Sequence, residues 1–509
     1  MVSTMVNEGA SDWTTPLVLV FDVGSSGTRG AVFDATGAAV PGMRGKASHS
    51  FTTGADGTSV IDADLVAGEI EQITDQIVGR LPEGVQIAGV GLDTFASSLV
   101  GVDAEGATTT PCYTYADTRC EPQVARLREQ VDEDEVHQRT GARQHTSYTP
   151  ARLLWLAEKS PRTFAATTQW LTLGEYVYLK LLGTTAVGSA AAAWSGMLDR
   201  FTGDWDEPML KAARIEREQL NAVHEPDQPI RATGAAQDAL ARRWPALAEA
   251  QWYPVIGDGL AANLGADASA PGVIGITAAT SGALRTLVHG TPEQVPPGLW
   301  CYRVSGTTNL LGGAVSDVGR VARWVESVAR VGGGPSNTAG PDALLAAEPE
   351  PATPLVLPFL SGERSTGWRG GAHAHVLDLT AATTAEQIYR GAMEATVLSL
   401  ARIEEQMRTV IAKPVKVIAS GGVAKGVPHW CQILADVLGT EVVHVIHQRS
   451  TLRGTALYAL QHLAPDVPRA AAEVGATYQP DPSRAAYYAD RMERFEVAYD
   501  ALIAGPAGA

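Results

Sequence analysis

The stretch Leu17–Asp34, LVLVFDVGSSGTRGAVFD, decides the fold. Leu17 to Phe21 is an aliphatic, β-branched run, and Gly30 to Phe33 is another. Gly24 and Gly27 between them can take turn dihedrals that side chains forbid, so the segment reads as a hairpin. Ser25, Ser26 and Thr28 offer hydroxyls at the turn, and Arg29 adds fixed positive charge. Asp22 stands where the first apolar run ends, and a carboxylate there, facing phosphate donors, suits hydrated Mg²⁺. An ordinary hairpin with Asp and Ser satisfying turn hydrogen bonds is the competing reading.

A second copy separates the two. Val273–Val288, VIGITAATSGALRTLV, is again strand, small-residue turn, strand. Thr280-Ser281-Gly282 echoes Ser25-Ser26-Gly27, and Arg285 loosely echoes Arg29. Two hydroxyl-rich hairpins from duplicated halves could face each other and hold one polyphosphate. That arrangement resembles the actin-like ATPase fold.

At 509 residues the chain exceeds one typical hydrophobic core, so at least two domains are expected. We place them at 1–266 and 267–509, because small residues and Pro271 precede the second hairpin. Strands alternate with helical patterns in both halves, which predicts an α/β fold. Asp62 to Arg80 carries Val66, Ile70, Ile73 and Ile77 at helical spacing, and residues 120 to 250 read as mostly helical. Lys416 to Ala419 reads as a strand ending in Ser420-Gly421-Gly422, followed by a helix opened by Pro428 and closed by Gly439. The tail from Ala470 is expected to be helical and peripheral, residues 331 to 354 a surface loop, and the first sixteen residues a frayed leader.

No stretch reaches the ~20 apolar residues of a membrane span, and a net charge of −17 argues against a nucleic-acid partner. Cys112, Cys120, Cys301 and Cys431 are scattered without a CxxC pair, so reduced thiols and a cytoplasmic location are expected.

With these landmarks in order, the chain closely resembles the FGGY carbohydrate kinases from about residue 17 to residue 460. The segments that carry this are LVFDVGSSGTRGAVFD, YTYADTR (113–119), SGMLDRFTGDWDEPML (195–210), GDGLAANLGA (257–266), TSGALR (280–285), LPFLSGER (357–364) and SGGVAKGVPHWCQILADVLG (420–439). The resemblance implies two actin-like (ribonuclease H-like) domains, each a mixed sheet flanked by helices, around a cleft. It also implies ATP and Mg²⁺ as cofactors, a small sugar or aldonate as partner, and a homodimer as one option for assembly.

Roles then follow position by position. Ser25, Ser26, Thr28 and Arg29 match the first phosphate hairpin, with Asp22 at the metal, and Thr280, Ser281 and Gly282 match the second. Gly421 and Gly422 match the adenine pocket, with Gln432 and Asp436 on the helix behind. Asp258 matches the catalytic base, near the metal, and Asp117 and Arg119 match an aromatic-x-Asp-x-Arg segment at the sugar pocket. A sugar hydroxyl is a weak nucleophile, so a carboxylate has to accept its proton as the P–O bond forms.

The segments TFASSLVGVDAEG (94–106), YADTR and GERSTGW (362–368) look most like the gluconate-kinase branch, which makes gluconate the expected substrate. Xylulose, ribulose and polyols stay open, as does a sugar- or nucleotide-sensing ATPase without kinase turnover. Ala96-Ser97 replaces a Trp-His pair common in the family, which widens the choice of substrate. Asp317 and Gln448-Arg449 are two further departures, and a carboxylate beside phosphate would repel it unless Asp317 faces away. An acid substrate needs a cation, and we nominate Arg143 ahead of Arg119, with His145 as a further candidate. Thr94 and Ser97 are expected to match substrate hydroxyls.

Overall fold

The computed structural model describes residues 13–329, 340–446 and 450–505, so the leader up to residue 12, Gln448-Arg449 and residues 331–339 of the expected loop lie outside it. Of that loop, Pro341–Ala346 is a short helix. The first hairpin forms as read: Leu17–Gly24 pairs antiparallel with Gly27–Phe33, Asp22 opposite Arg29. Ala39–Ala47 extends it on one side. Ile87–Thr94 lies parallel on the other, putting Asp93 beside Asp22. Gln251–Trp252 and Ile256–Gly257 close this six-stranded mixed sheet. The helix Ala63–Val78, capped by Asp62, covers one face with Val66, Ile70, Ile73 and Ile77.

The second half repeats the plan with seven strands. Val273–Ala278 pairs antiparallel with Gly282–His289 and parallel with Lys416–Ser420. The long helix Ala385–Met407 and the helix His429–Leu438 pack on this sheet's core. Helices cover both faces of the first sheet, which is why Val18 and Val20 on one face and Leu19 and Phe21 on the other are all enclosed. The four cysteines are buried and unpaired. Among the described residues, no helix is long and apolar enough to cross a membrane.

Two features depart from expectation. The tail is only partly peripheral: Val474–Tyr478 adds an exposed edge strand to the second sheet, whereas Ala485–Tyr499 buries Tyr488, Arg491, Phe495 and Tyr499. The expected helix forms, but its aromatic face packs into the core of the second half. The second departure is Ser450–Leu463, a helix from the far end of the chain that packs on the first sheet and on the helix Asp258–Gly265. Those two helices touch backbone to backbone, since a Cβ on Gly265 would stand 1.7 Å from the Ser450 carbonyl oxygen.

Candidate active site

Asp258 is the first residue of its helix, directly after Gly257, which pairs with Thr94 at the end of the first sheet. It opens into a cavity of about 240 Å³ between the two sheets. The second hairpin forms the opposite side with Thr277, Ala279, Ser281, Gly282 and Arg285. Burial pushes the Asp258 carboxyl up to about 6, against the opposing pull of Arg285, with Asp22 adding to the rise. Arg285 lies close by, its Nε 3.1 Å from where a Cβ on Gly259 would stand.

Asp22 sits near the C-terminal end of its central strand, where its Oδ2 accepts from the Thr451 hydroxyl at 2.7 Å and from Arg29 at 3.4 Å. Its parallel neighbour Asp93 is fully buried; its Oδ2 accepts from Thr455 at 2.6 Å, while Oδ1 has no partner. Burial, then the nearby Asp22 and Asp258, drive the Asp93 carboxyl well above its usual range. Among the described residues no three His, Cys, Asp or Glu side chains converge to hold an ion unaided. Mg²⁺ ordinarily keeps several waters and phosphate oxygens and takes only one or two carboxylates, so the residues fit it. The acidic strand ends and the orphaned Asp93 oxygen agree with a cation here; Asp22 and Asp258 are the residues that would hold it.

Several expected residues go elsewhere. Thr28 donates its hydroxyl to Glu69 at 2.6 Å, because strand alternation turns it toward the covering helix, away from the face of Asp22 and Arg29. Asp117 and Arg119 close on each other at 2.6 Å; Asp117 also accepts the Ser59 N–H, and Arg119 stacks on Trp155. It is Tyr115 of that segment that lines the cavity. Arg143 pairs with Asp134 at 2.6 Å and donates to the Pro297 carbonyl, and it is not among the cavity's lining residues. Its nomination is corrected: a turn after Gly141 carries it onto an acidic helix. Gln432 donates to Asp436 and to the Gln479 carbonyl, so this pair ties down the tail. The Thr94 hydroxyl is spent on the Phe95 carbonyl.

Others fall where expected. Ser97 lines the cavity and donates to the Trp194 carbonyl at 2.6 Å. Ser25, Ser26, Thr280 and Ser281 are exposed at the two hairpin turns, and Thr280 accepts from Arg323. Gly421 has φ +101° and a Cβ there would meet the Ala278 carbonyl oxygen at 2.3 Å, whereas Gly422 faces open space. Asp317 does face away. It accepts from the Ser361 N–H at 2.7 Å and pairs with Arg320, fixing the loop that carries Arg364.

Sequence reasoning missed most of the pocket wall. Trp194, Trp300 and Tyr302 stack in series, with ring centroids 4.2 Å apart for Trp194–Tyr302 and 4.6 Å for Trp300–Tyr302. The Tyr148 and Tyr302 hydroxyls meet at 2.5 Å. Arg152, fully buried, binds the carbonyls of Ser97, Thr146 and Ser147 and so holds two pocket loops together. His145 and Arg364 complete the lining.

The family model for the N-terminal domain of FGGY carbohydrate kinases matches residues 17–265, and that for the C-terminal domain matches 283–462. The chain is 24% identical over 461 residues to the gluconokinase of Bacillus subtilis (strain 168), covering 88% of this chain and 87% of that protein. It is 25% identical over 452 residues to the xylulose kinase of Escherichia coli (strain K12), with 85% and 89% covered. The crystal structure of gluconate kinase from Lactobacillus acidophilus superposes with a TM-score of 0.87 at 23% identity, covering 96% of this chain and 98% of that one. The chain belongs to the FGGY family of carbohydrate kinases.

Proposed function

We propose that this sugar kinase transfers the γ-phosphoryl group of ATP to a hydroxyl of gluconate, giving 6-phosphogluconate, with Asp258 as the general base. The observation that carries the reading is Asp258 itself, a half-buried carboxylate on one lobe that lines one cavity with the second hairpin of the other. In the reaction the acceptor hydroxyl gives its proton to the Asp258 carboxylate as its oxygen bonds phosphorus. The bond to the β-phosphate oxygen breaks, and ADP leaves. Exposed backbone and hydroxyls of Ser25, Ser26, Thr280, Ser281 and Gly282 are suited to cradle phosphates, and Gly421 and Gly422 let a flat base approach the chain. Mg²⁺, when bound, neutralises charge on the phosphate oxygens. Helix 450–463 orients Asp22 through Thr451.

Gluconate is supported by the names of two relatives and by the cations in the cavity, Arg285 and Arg364. ADP release measured across aldonates, ketoses and polyols tests it; turnover confined to a ketose or polyol would replace gluconate. A cytoplasmic location belongs to the same proposal.

Two expected outcomes follow from the site. The base works only when ionised, so kcat/KM should rise with pH through about 6 and level off above it. A profile flat from pH 5 to 8 would remove Asp258 from that role. Asp22→Ala should raise the Mg²⁺ concentration needed for half-maximal activity while leaving the melting temperature near wild type. The same loss of activity with unchanged Mg²⁺ dependence would count against the role of Asp22.

A further inference from the structure

Arg364, half-buried at the cavity wall, differs from the fully buried arginines of this protein. Arg152, Arg200, Arg453 and Arg491 are all spent on carbonyls or carboxylates. Arg364 has no side-chain hydrogen bond or ion pair among the described residues, and its Nε is buried without a partner. Its neighbour Glu363 is already engaged by Arg402 and Tyr499. The loop around it is fixed: Ser365 exchanges hydrogen bonds with Ala314, which also lines the cavity, and Trp368 donates to the Gly298 carbonyl. A guanidinium on a fixed loop, half-buried with its Nε shut off from water and unpaired, has its favourable partner missing from the chain.

On the same side of the cavity stands His145, whose ring meets edge-on that of Trp368, on the Arg364 loop, with centroids 5.8 Å apart. Its Nδ1 accepts from the Ser147 N–H at 3.1 Å, which puts the proton of the neutral ring on Nε2 as a donor. Burial first, and then the charge of Arg364, hold this imidazole neutral, with its pKa lowered to about 3. Among the described residues the only carboxylate lining the cavity is Asp258, and the charge of Arg285 acts on it.

We propose that Arg364, with His145 as second donor, is the carboxylate-binding end of the substrate pocket, so that an acidic sugar lies with its carboxylate on Arg364, its C–H face on Trp194 and Tyr302, and its far hydroxyl toward Asp258. This rests on the kinase reading above and deepens it: it assigns the acid-selecting residue and the direction in which the substrate lies. A planar guanidinium takes a carboxylate through two parallel N–H···O bonds, which a polyol's primary alcohol cannot reproduce.

The test is binding of D-gluconate and of D-glucitol, its neutral counterpart, to the full-length protein without nucleotide, read by calorimetry or by the fluorescence of the pocket tryptophans. Wild type should bind gluconate at least ~10-fold more tightly than glucitol, and Arg364→Gln should lower gluconate affinity by ~10–100-fold, the usual worth of a hydrogen bond to a charged group. Glucitol binding should be unchanged in Arg364→Gln, and Arg364→Lys should fall between. Equal wild-type affinities would overturn the proposal, as would equal losses for both ligands in the variant. So would a loss confined to ADP binding, which would make Arg364 a phosphate clamp. If the Gln variant does not fold, Arg364→Lys carries the test: a loss for gluconate with glucitol unchanged supports the assignment, and equal losses or no loss overturn it. Acid-selective binding without ADP release on any acceptor would instead sink the kinase reading and leave this site standing.

Discussion

Asp258→Asn is expected to lower turnover by ~10²–10⁴-fold, the usual contribution of a positioned general base, with nucleotide affinity retained. Asparagine keeps the shape and the hydrogen bond from the Gly259 N–H side is replaced at little cost, but it cannot take a proton. The variant should also melt no lower than wild type. Burying an ionised carboxylate is unfavourable, and the folded pKa of Asp258, raised to about 6, means that the native state binds more protons than the unfolded chain. The side chain therefore costs stability as pH rises from about 4 toward 6, and that cost is fully present at neutral pH. An active, near-normal Asn variant would exclude Asp258 as the base. A variant that is inactive because it unfolds would show a structural role instead, and the melting curve separates the two.

The second large effect is on folding. Gly454→Ala places a Cβ 1.8 Å from the Ala261 carbonyl oxygen, at the crossing where Gly265 and Gly454 let two helices meet. The obstacle is backbone, not the flexible end of a side chain, so one helix has to move. Overpacking of this kind costs ~1–3 kcal/mol and sometimes more, a sizeable part of a total stability of ~5–15 kcal/mol. A clear fall in melting temperature is expected, with loss of activity in the folded remainder, because the same helix carries Thr451 against Asp22 and Thr455 against Asp93. An unchanged melting curve would contradict this reading of the helix crossing.

Local signals carried far in this chain. The hairpin at 17–33, its echo at 273–289, the capped helix after Asp62 and the glycine turn at 421–422 are written in periodicity and turn chemistry, and all form as expected. What a sequence cannot express is which side chains meet across the fold. Arg143, His145 and Arg364 look alike as polar loop residues, yet Asp134 takes the first, and the cavity receives the other two. Asp117 and Arg119 lie two residues apart and pair with each other. Helix 450–463 folds onto the half of the chain farthest from it, and neither its composition nor its spacing announces that partner.

Phosphoryl transfer to a sugar acid can be followed by incubating the full-length protein with ATP, Mg²⁺ and D-gluconate and quantifying ADP and phosphorylated gluconate together. The expected result is equal amounts of the two, with no ADP when the acceptor is left out. ADP formed with free phosphate, at a rate indifferent to any sugar, would contradict it.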